Sequence, residues 1–488
     1  MNILSTLLAI EKSERLPVYL QLANQLMGLI RNGTLQPGYR LLSTRQLAGM
    51  LKIHRRTVVQ AYDELLAQGW LESHTGNGTF VAKNLPEIQV TSKEETPEKS
   101  SNSLKKAGFK FETPPYLNRP VLKSDTRLHL DDGFPDPRLA PLEELSRAYR
   151  SQLLNGNPYM RLGYGDTKGS SWLRQELSVY LNETRGLKVS ADNILITRGV
   201  IMGIHLVSTG LLRRGDFVVV DSPGWFGANM NFVQAGANVI ELPVDEFGLD
   251  VDALEEVCKK QSIRLLYVTS HHHYPTTVAL RADRRIKLIK LSDKYGFIIF
   301  EDDYDYDFHY LSKPLLPLAG ADKAGMVMYC GSFTKTISPA FRVGYLVGPE
   351  DVIAQLARLR RIIDRQGDQM LENAMAELIQ TGVIQRHLRK SVRVYKQRRD
   401  FFCDLLKTKL GDRVSFQIPD GGMAVWAKFD PEINLKELAG KALKKDLYFS
   451  EGSNAYPGSP RHNAIRLGFA SSNLEELEES IHIIKDLL

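Results

Sequence analysis

The sequence predicts a multi-domain chain in which a small α+β front of three helices and a hairpin precedes a large α/β body. Three observations predict it. Apolar residues recur at helical spacing from Val18 to Leu65 and then give way to two short extended runs. A charged, Ser/Thr-rich stretch follows. Beyond Leu128, continuous apolar runs of strand length alternate with helical segments, the pattern of a largely parallel sheet covered on both faces. With 488 residues the chain exceeds what one hydrophobic core supports.

In the front, Leu22, Leu26 and Leu29 or Ile30 mark a helix that ends at Asn32, Gly33, Pro37 and Gly38. Ser43 and Gln46 form a capping box for a second helix whose apolar face is Leu47, Ala48 and Leu51. His54 starts a third helix. Val58, Ala61, Tyr62 and Leu65 line one side of it and leave Arg55, Arg56 and Thr57 in its first turn, facing outward. Two runs around an Asn77-Gly78 turn read as a hairpin. Three helices and a hairpin in this order form a winged helix-turn-helix, whose last helix enters the DNA major groove. Residues 1–83 carry nine Lys or Arg against five Asp or Glu, so the positive excess of the chain (net +6) is concentrated here.

Composition, at 43% hydrophobic and 25% charged, is that of a soluble protein, and no apolar run is long enough to span a bilayer. The apolar N-terminus has no basic flank or small-residue cleavage site, so no export signal is expected. Three cysteines, Cys258, Cys330 and Cys403, have neither disulfide nor zinc spacing. A cytoplasmic location and no membrane contact are expected. Residues 84–126 read as a flexible linker, and an unstructured chain of this length has an end-to-end distance of about 35 Å. Residues 127–488 form the body, with a large α/β part over about 160–380 and a smaller α+β part from about 385 that includes 127–160.

Within the body, EDDYDYDF (301–308) and GSFTKTISPAFRVGY (331–345) each begin at a strand end. Ligands of open α/β sheets bind outside the carboxyl ends of strands, so Asp302 and Lys335 are expected in one crevice. A lysine, a carboxylate, hydroxyls and an arginine are together what a pyridoxal phosphate site needs.

Two resemblances sharpen this reading. Residues 17–82, with LSTRQLAGMLKIHRRTVVQAYDELLAQGW at their centre, resemble the DNA-binding domain of the GntR family. Residues 128–488 resemble a fold-type I, pyridoxal phosphate-dependent aminotransferase. Their union is similar to the architecture of MocR-family regulators. The first resemblance implies that Arg45, Arg55, Arg56 and Thr57 contact a double-stranded DNA operator and that Thr75, Gly76 and Gly78 place a wing on its backbone. The second implies that Lys335 forms the Schiff base with pyridoxal 5'-phosphate, that Asp302 faces the pyridine nitrogen and that Tyr304 bonds the phenolic oxygen. It gives the phosphate to Ser332, Arg342 and the backbone of Gly199 and Val200, and the stacking position to Trp225. Arg466 matches an arginine that takes an α-carboxylate, which implies an amino-acid or amine effector, and Tyr164 one that reaches the partner's phosphate in a homodimer.

The sequence departs from that pattern where Arg198, Val200, Ile201 and Met202 replace small or polar residues, and where His273 and Thr277 in HHHYPTT replace a glutamine and a glycine. Trp225 could instead be core, and Arg466 could pair with an internal carboxylate. His271, His272 and His273 could suggest a metal, but neighbours in a strand point to opposite faces, and no metal is expected. The acidic run 301–307 lacks the ligand arrangement of a cation loop. Three functions remain open: a regulator that responds to pyridoxal phosphate or to an amino acid or amine forming an external aldimine, an active aminotransferase with an attached DNA-binding domain, and a DNA-binding protein whose body is only a dimerisation scaffold.

Overall fold

The computed structural model describes residues 4–11, 13–14, 16–85, 107–117, 125–310, 315–452 and 462–488. The chain divides into two compact units, residues 1–111 and 112–488. Much of the expected linker, 86–106 and 118–124, lies outside the described residues.

In the first unit, helices Val18–Arg31, Thr44–Leu51 and Arg55–Ala67 pack around Leu22, Leu26, Leu47, Val58, Ala61, Tyr62 and Leu65. The capping box forms: Ser43 Oγ accepts from the Gln46 amide at 3.3 Å, and the Ser43 amide donates to Gln46 Oε1 at 3.1 Å. Ser43→Ala is expected to cost about 1 kcal/mol, because two helix-end donors lose their partners. A fall in urea midpoint at unchanged slope checks it. His54 is the cap of the third helix rather than its first residue, with Nδ1 accepting from the Arg56 amide at 3.2 Å. The hairpin pairs β1 (Leu71–His74) with β2 (Gly78–Val81), antiparallel, through a three-residue turn. This corrects the expected Asn77-Gly78 turn: His74 pairs with Gly78, and Gly76 (φ +80°) takes the left-handed position inside the loop. The apolar N-terminus belongs to this core as well. Leu4 and Leu8 are buried in it, and Gln21 and Gln25 bond the backbone of Glu11 and Ala9.

The second unit is built on an eight-stranded sheet. After β3 (Leu128–Leu130) come β4 (Ile194–Thr197), β5 (Phe217–Ser222), β6 (Asn238–Asp245), β7 (Gly248–Leu249), β8 (Ile263–Val268), β9 (Ile298–Asp303), β10 (Val327–Ser332) and β11 (Gly344–Val347). The sheet order is β4-β11-β10-β9-β8-β5-β6-β7. Strands β10, β9, β8, β5 and β6 run parallel, whereas β11 is antiparallel to both neighbours. Both faces are buried, one by the core around Val218, Leu265, Phe300 and Leu346, the other by cores holding Tyr329 and Ile299.

A smaller layer pairs β12 (Val414–Ser415), β13 (Ala424–Phe429) and β15 (Ala464–Gly468) antiparallel. Strand β14 (Leu447–Phe449) pairs with β3, tying residues 128–130 to this C-terminal layer. No described helix is long and apolar enough to cross a membrane.

Candidate functional site

Register brings the site together at one sheet edge. Asp302 pairs with Cys330 and Asp303 with Gly331, so β9 and β10 end side by side, and the antiparallel β11 starts at that same edge, Gly344 facing Ser332 and Thr197. Chain reversals there put side chains from six segments around one cavity of about 240 Å³. Lys335, Asp302, Tyr304, Ser332, Arg342, Trp225 and Val200 line it.

Lys335 Nζ donates to the carbonyl of Gly133 at 2.6 Å and lies 4.4 Å from the Phe134 ring centre. Burial pulls its ammonium below the usual lysine range, against the opposing pull of Asp132. Asp302 accepts from the Tyr267 hydroxyl at 2.6 Å through Oδ2, while its buried Oδ1 has no hydrogen-bond partner among the described residues. Burial, with Asp303 and Asp305 nearby, pushes this carboxyl up to about 7 despite the Tyr267 bond. Tyr304 donates to the His272 carbonyl at 2.9 Å.

At the other end, Arg342 (φ +52°) donates from Nη2 to the Arg198 carbonyl at 2.6 Å. Gly199 (φ +80°) caps helix Val200–Leu211, and a Cβ on it would stand 2.8 Å from Arg342 Nη2. Glycine suits this position because its positive φ strains any other residue, and an added Cβ would also press on the Arg342 guanidinium. Ser332 Oγ, bonded to Thr334 Oγ1 at 2.7 Å, adds hydroxyls beside this helix start. Arg198 itself turns away to Asp364, 3.1 Å off.

Three expected residues do not line the cavity: Gly199, which precedes the lining residue Val200, Arg466 and Tyr164. Arg466 is 4% exposed and stands behind Asp132. Tyr164 is 77% exposed, under the guanidinium of Arg365 at 4.0 Å. The three histidines lie in the loop after β8, not in a strand, and each meets its own aspartate: His271 with Asp303 at 3.2 Å, His272 with Asp305 at 2.8 Å, His273 with Asp221 at 2.9 Å. Among the described residues no group of His, Cys, Asp and Glu could hold a metal. Thr277 takes φ +65°, a costly conformation for a β-branched residue.

Residues 136–484 match the family of aminotransferase class I and II, and residues 18–81 match the bacterial regulatory proteins of the gntR family. The uncharacterized HTH-type transcriptional regulator YdfD of Bacillus subtilis is 31% identical, with 98% of each chain covered. The probable rhizopine catabolism regulatory protein MocR of Rhizobium meliloti is 28% identical over 98% of this chain and 95% of its own. The chain belongs to the MocR family of transcription regulators. This MocR-family chain is similar in its second unit to a multiple substrate aminotransferase of Thermococcus profundus: 26% identity, TM-score 0.69, 75% of this chain and 92% of that one. It is equally close to LysN of Thermus thermophilus, an α-aminoadipate aminotransferase complexed with N-(5'-phosphopyridoxyl)-L-leucine: 27% identity, TM-score 0.69, 74% and 92% covered.

The aminotransferase class implies pyridoxal 5'-phosphate, and the residues of this MocR-family protein fit it. The unpartnered Asp302 Oδ1 suits a ring N–H, and Arg342, Ser332, Thr334 and a helix N-terminus bared by Gly199 suit a phosphate. Tyr267, Tyr274, Thr269, Thr334 and Asp132 also line the cavity and escaped sequence reasoning. Tyr267 could have been found only from register. It pairs with Phe300, which places its ring diagonally beside Asp302 on the neighbouring strand.

The first unit of this DNA-binding regulator presents Arg45, Arg55 and Arg56 exposed and Thr57 half-buried. Arg55 Nε donates to Thr44 Oγ1 at 3.4 Å, so the starts of the second and third helices adjoin and their basic residues share one edge. Thr75, Gly76 and Gly78 are exposed at the hairpin tip.

Proposed function

We propose that this chain is a transcription regulator in which pyridoxal 5'-phosphate held on Lys335, alone or joined to an amino acid or amine, sets the DNA-binding state of the winged unit. The observation that carries the reading is the cavity itself, with a buried lysine, an unpartnered carboxylate oxygen and an arginine at a helix start in a chain that also carries a winged helix-turn-helix. Bound there, the cofactor supplies an electrophilic carbon and an electron-withdrawing ring. Lys335, whose charged form burial disfavours, would be the nucleophile. Asp302, bonded to Tyr267, would hold the ring nitrogen protonated, and Arg342, Ser332 and Thr334 would hold the phosphate. Trp225, in the lining of the same cavity, would cover one side of the ring.

The protein acts as a homodimer in this reading. Leu153, Leu154, Tyr159, Leu162 and Tyr164 are large, exposed and within twelve residues of one another, a patch that calls for a partner, and Tyr164 would then reach the other protomer's phosphate. Domain limits of 1–83, 84–126 and 127–488 and a cytoplasmic location belong to the same reading. An effector shifts DNA affinity only if it favours one arrangement of the two units.

The test is operator binding by the holo protein, measured with and without amines while the cofactor absorbance is followed. DNA affinity that moves with the spectrum supports regulation. Steady turnover of an amino donor and a keto acid with unchanged DNA affinity would favour the aminotransferase reading instead. For the winged unit, Arg56→Ala is expected to weaken operator binding about tenfold and to reduce the slope of log affinity against log salt by about 1. A titration at several salt concentrations reads both.

A further inference from the structure

The Asp132 carboxylate lines the cavity beside Lys335, Phe134 and Tyr274. Asp131 locks the loop after β3: its Oδ1 accepts from the Phe134 amide at 2.8 Å, its Oδ2 from Ser471 Oγ at 2.7 Å, and its carbonyl from the Gly468 amide at 2.6 Å. The next residue, Asp132, therefore has a fixed backbone and turns its side chain, 38% exposed, into the cavity. Gly133, one residue further, bonds Lys335. The Asp132 carboxylate consequently flanks the reacting amine.

Behind it, Arg466 is already engaged. Its Nη1 donates to the Pro275 carbonyl at 3.2 Å, its Nη2 to the Tyr304 hydroxyl at 3.3 Å, and its Nε stands 3.4 Å from Asp132 Oδ1. The Tyr274 hydroxyl donates to the other Asp132 oxygen at 2.8 Å. An incoming α-carboxylate would meet Asp132 before Arg466 and would have to break this ion pair against like charge. A second ammonium group would meet a positioned carboxylate, with the Phe134 and Tyr274 rings beside it for the methylene chain.

We propose that Asp132 is the specificity-determining residue of this site and that the effector is a diamine, or another amine with a second cationic group and no α-carboxylate. One amino group is offered to the cofactor position at Lys335 and the other to Asp132. The inference rests on the cofactor reading above.

The test is calorimetric titration of the holo protein with 1,4-diaminobutane, n-butylamine and L-norvaline. Loading is first checked as a Lys335-dependent absorbance band. The diamine is expected to bind about tenfold to a hundredfold tighter than either other ligand, the range of one charge-assisted hydrogen bond. Asp132→Asn should abolish that preference and improve L-norvaline, because Arg466 is released. Asp132→Glu should keep the preference and move the optimum to 1,3-diaminopropane, since its carboxylate reaches one methylene further. Tighter binding of L-norvaline by the wild type, or a diamine preference that survives Asp132→Asn, overturns the proposal and leaves the cofactor reading standing. Failure of the band in wild type removes the cofactor reading and this inference with it.

Discussion

Lys335→Ala protein mixed with excess pyridoxal 5'-phosphate is expected to show no absorbance band of covalently held cofactor, where the wild type shows one. The loss should be complete, because no other lysine among the described residues lines the cavity. The physical basis is the environment of the amine. Burial disfavours its charged form, which favours nucleophilic reactivity, and the Gly133 carbonyl aims it. Lys335→Arg separates charge from nucleophilicity: it keeps a cation in the cavity and should be equally silent. DNA binding by either variant should no longer respond to pyridoxal phosphate or to amines. A normal band in Lys335→Ala would place the reactive amine elsewhere and undo the site.

Asp302→Asn is expected to act in opposite directions on stability and on cofactor binding. The Asp302 carboxyl is pushed from its ordinary 3.8 up to about 7, chiefly by burial. Folding therefore favours its protonated form, and the sign follows. In cofactor-free protein the penalty is absent below about pH 4, grows as pH rises, and is full above about pH 7. Each tenfold change in the proton-binding equilibrium is worth about 1.4 kcal/mol, so the cost reaches a few kcal/mol. Asparagine keeps an oxygen for the Tyr267 hydroxyl and removes the ionisation. Cofactor-free Asp302→Asn should thus melt several degrees above wild type at pH 8 and equal it near pH 4. It should also bind pyridoxal phosphate more weakly, since a neutral amide does not hold the ring nitrogen protonated. Thermal melts across pH, with and without cofactor, read both halves, and parallel pH profiles in the two proteins would refute the account of Asp302.

The two units were not equally legible. The Ser43–Gln46 box was readable because both bonds close within one helical turn, and the apolar stripes of the three helices repeat at a spacing that needs no tertiary information. The hairpin was readable as a hairpin but not in its turn, because the strand partner of His74 depends on register. Leu4 and Leu8 looked like a bare apolar start, and only the packed core shows where they go. In the second unit Lys335 and Asp302 stood out through motif spacing. Asp132, 203 positions before Lys335 in the chain, carried no comparable signal.

By itself the sequence determined the order of the elements, the class of each unit, the family and the chemical groups on offer, since local periodicity and short motifs encode these directly. Tertiary structure alone decided the pairing of those groups. Sheet register put Tyr267 on Asp302, chain crossings sent three adjacent histidines to three different aspartates, and the locked loop after β3 placed Asp132 between Arg466 and the cavity. Charge and hydrogen bonding act over a few ångströms in space, whatever the separation along the chain, so the partner that sets each group's protonation and availability becomes known only when the chain is folded.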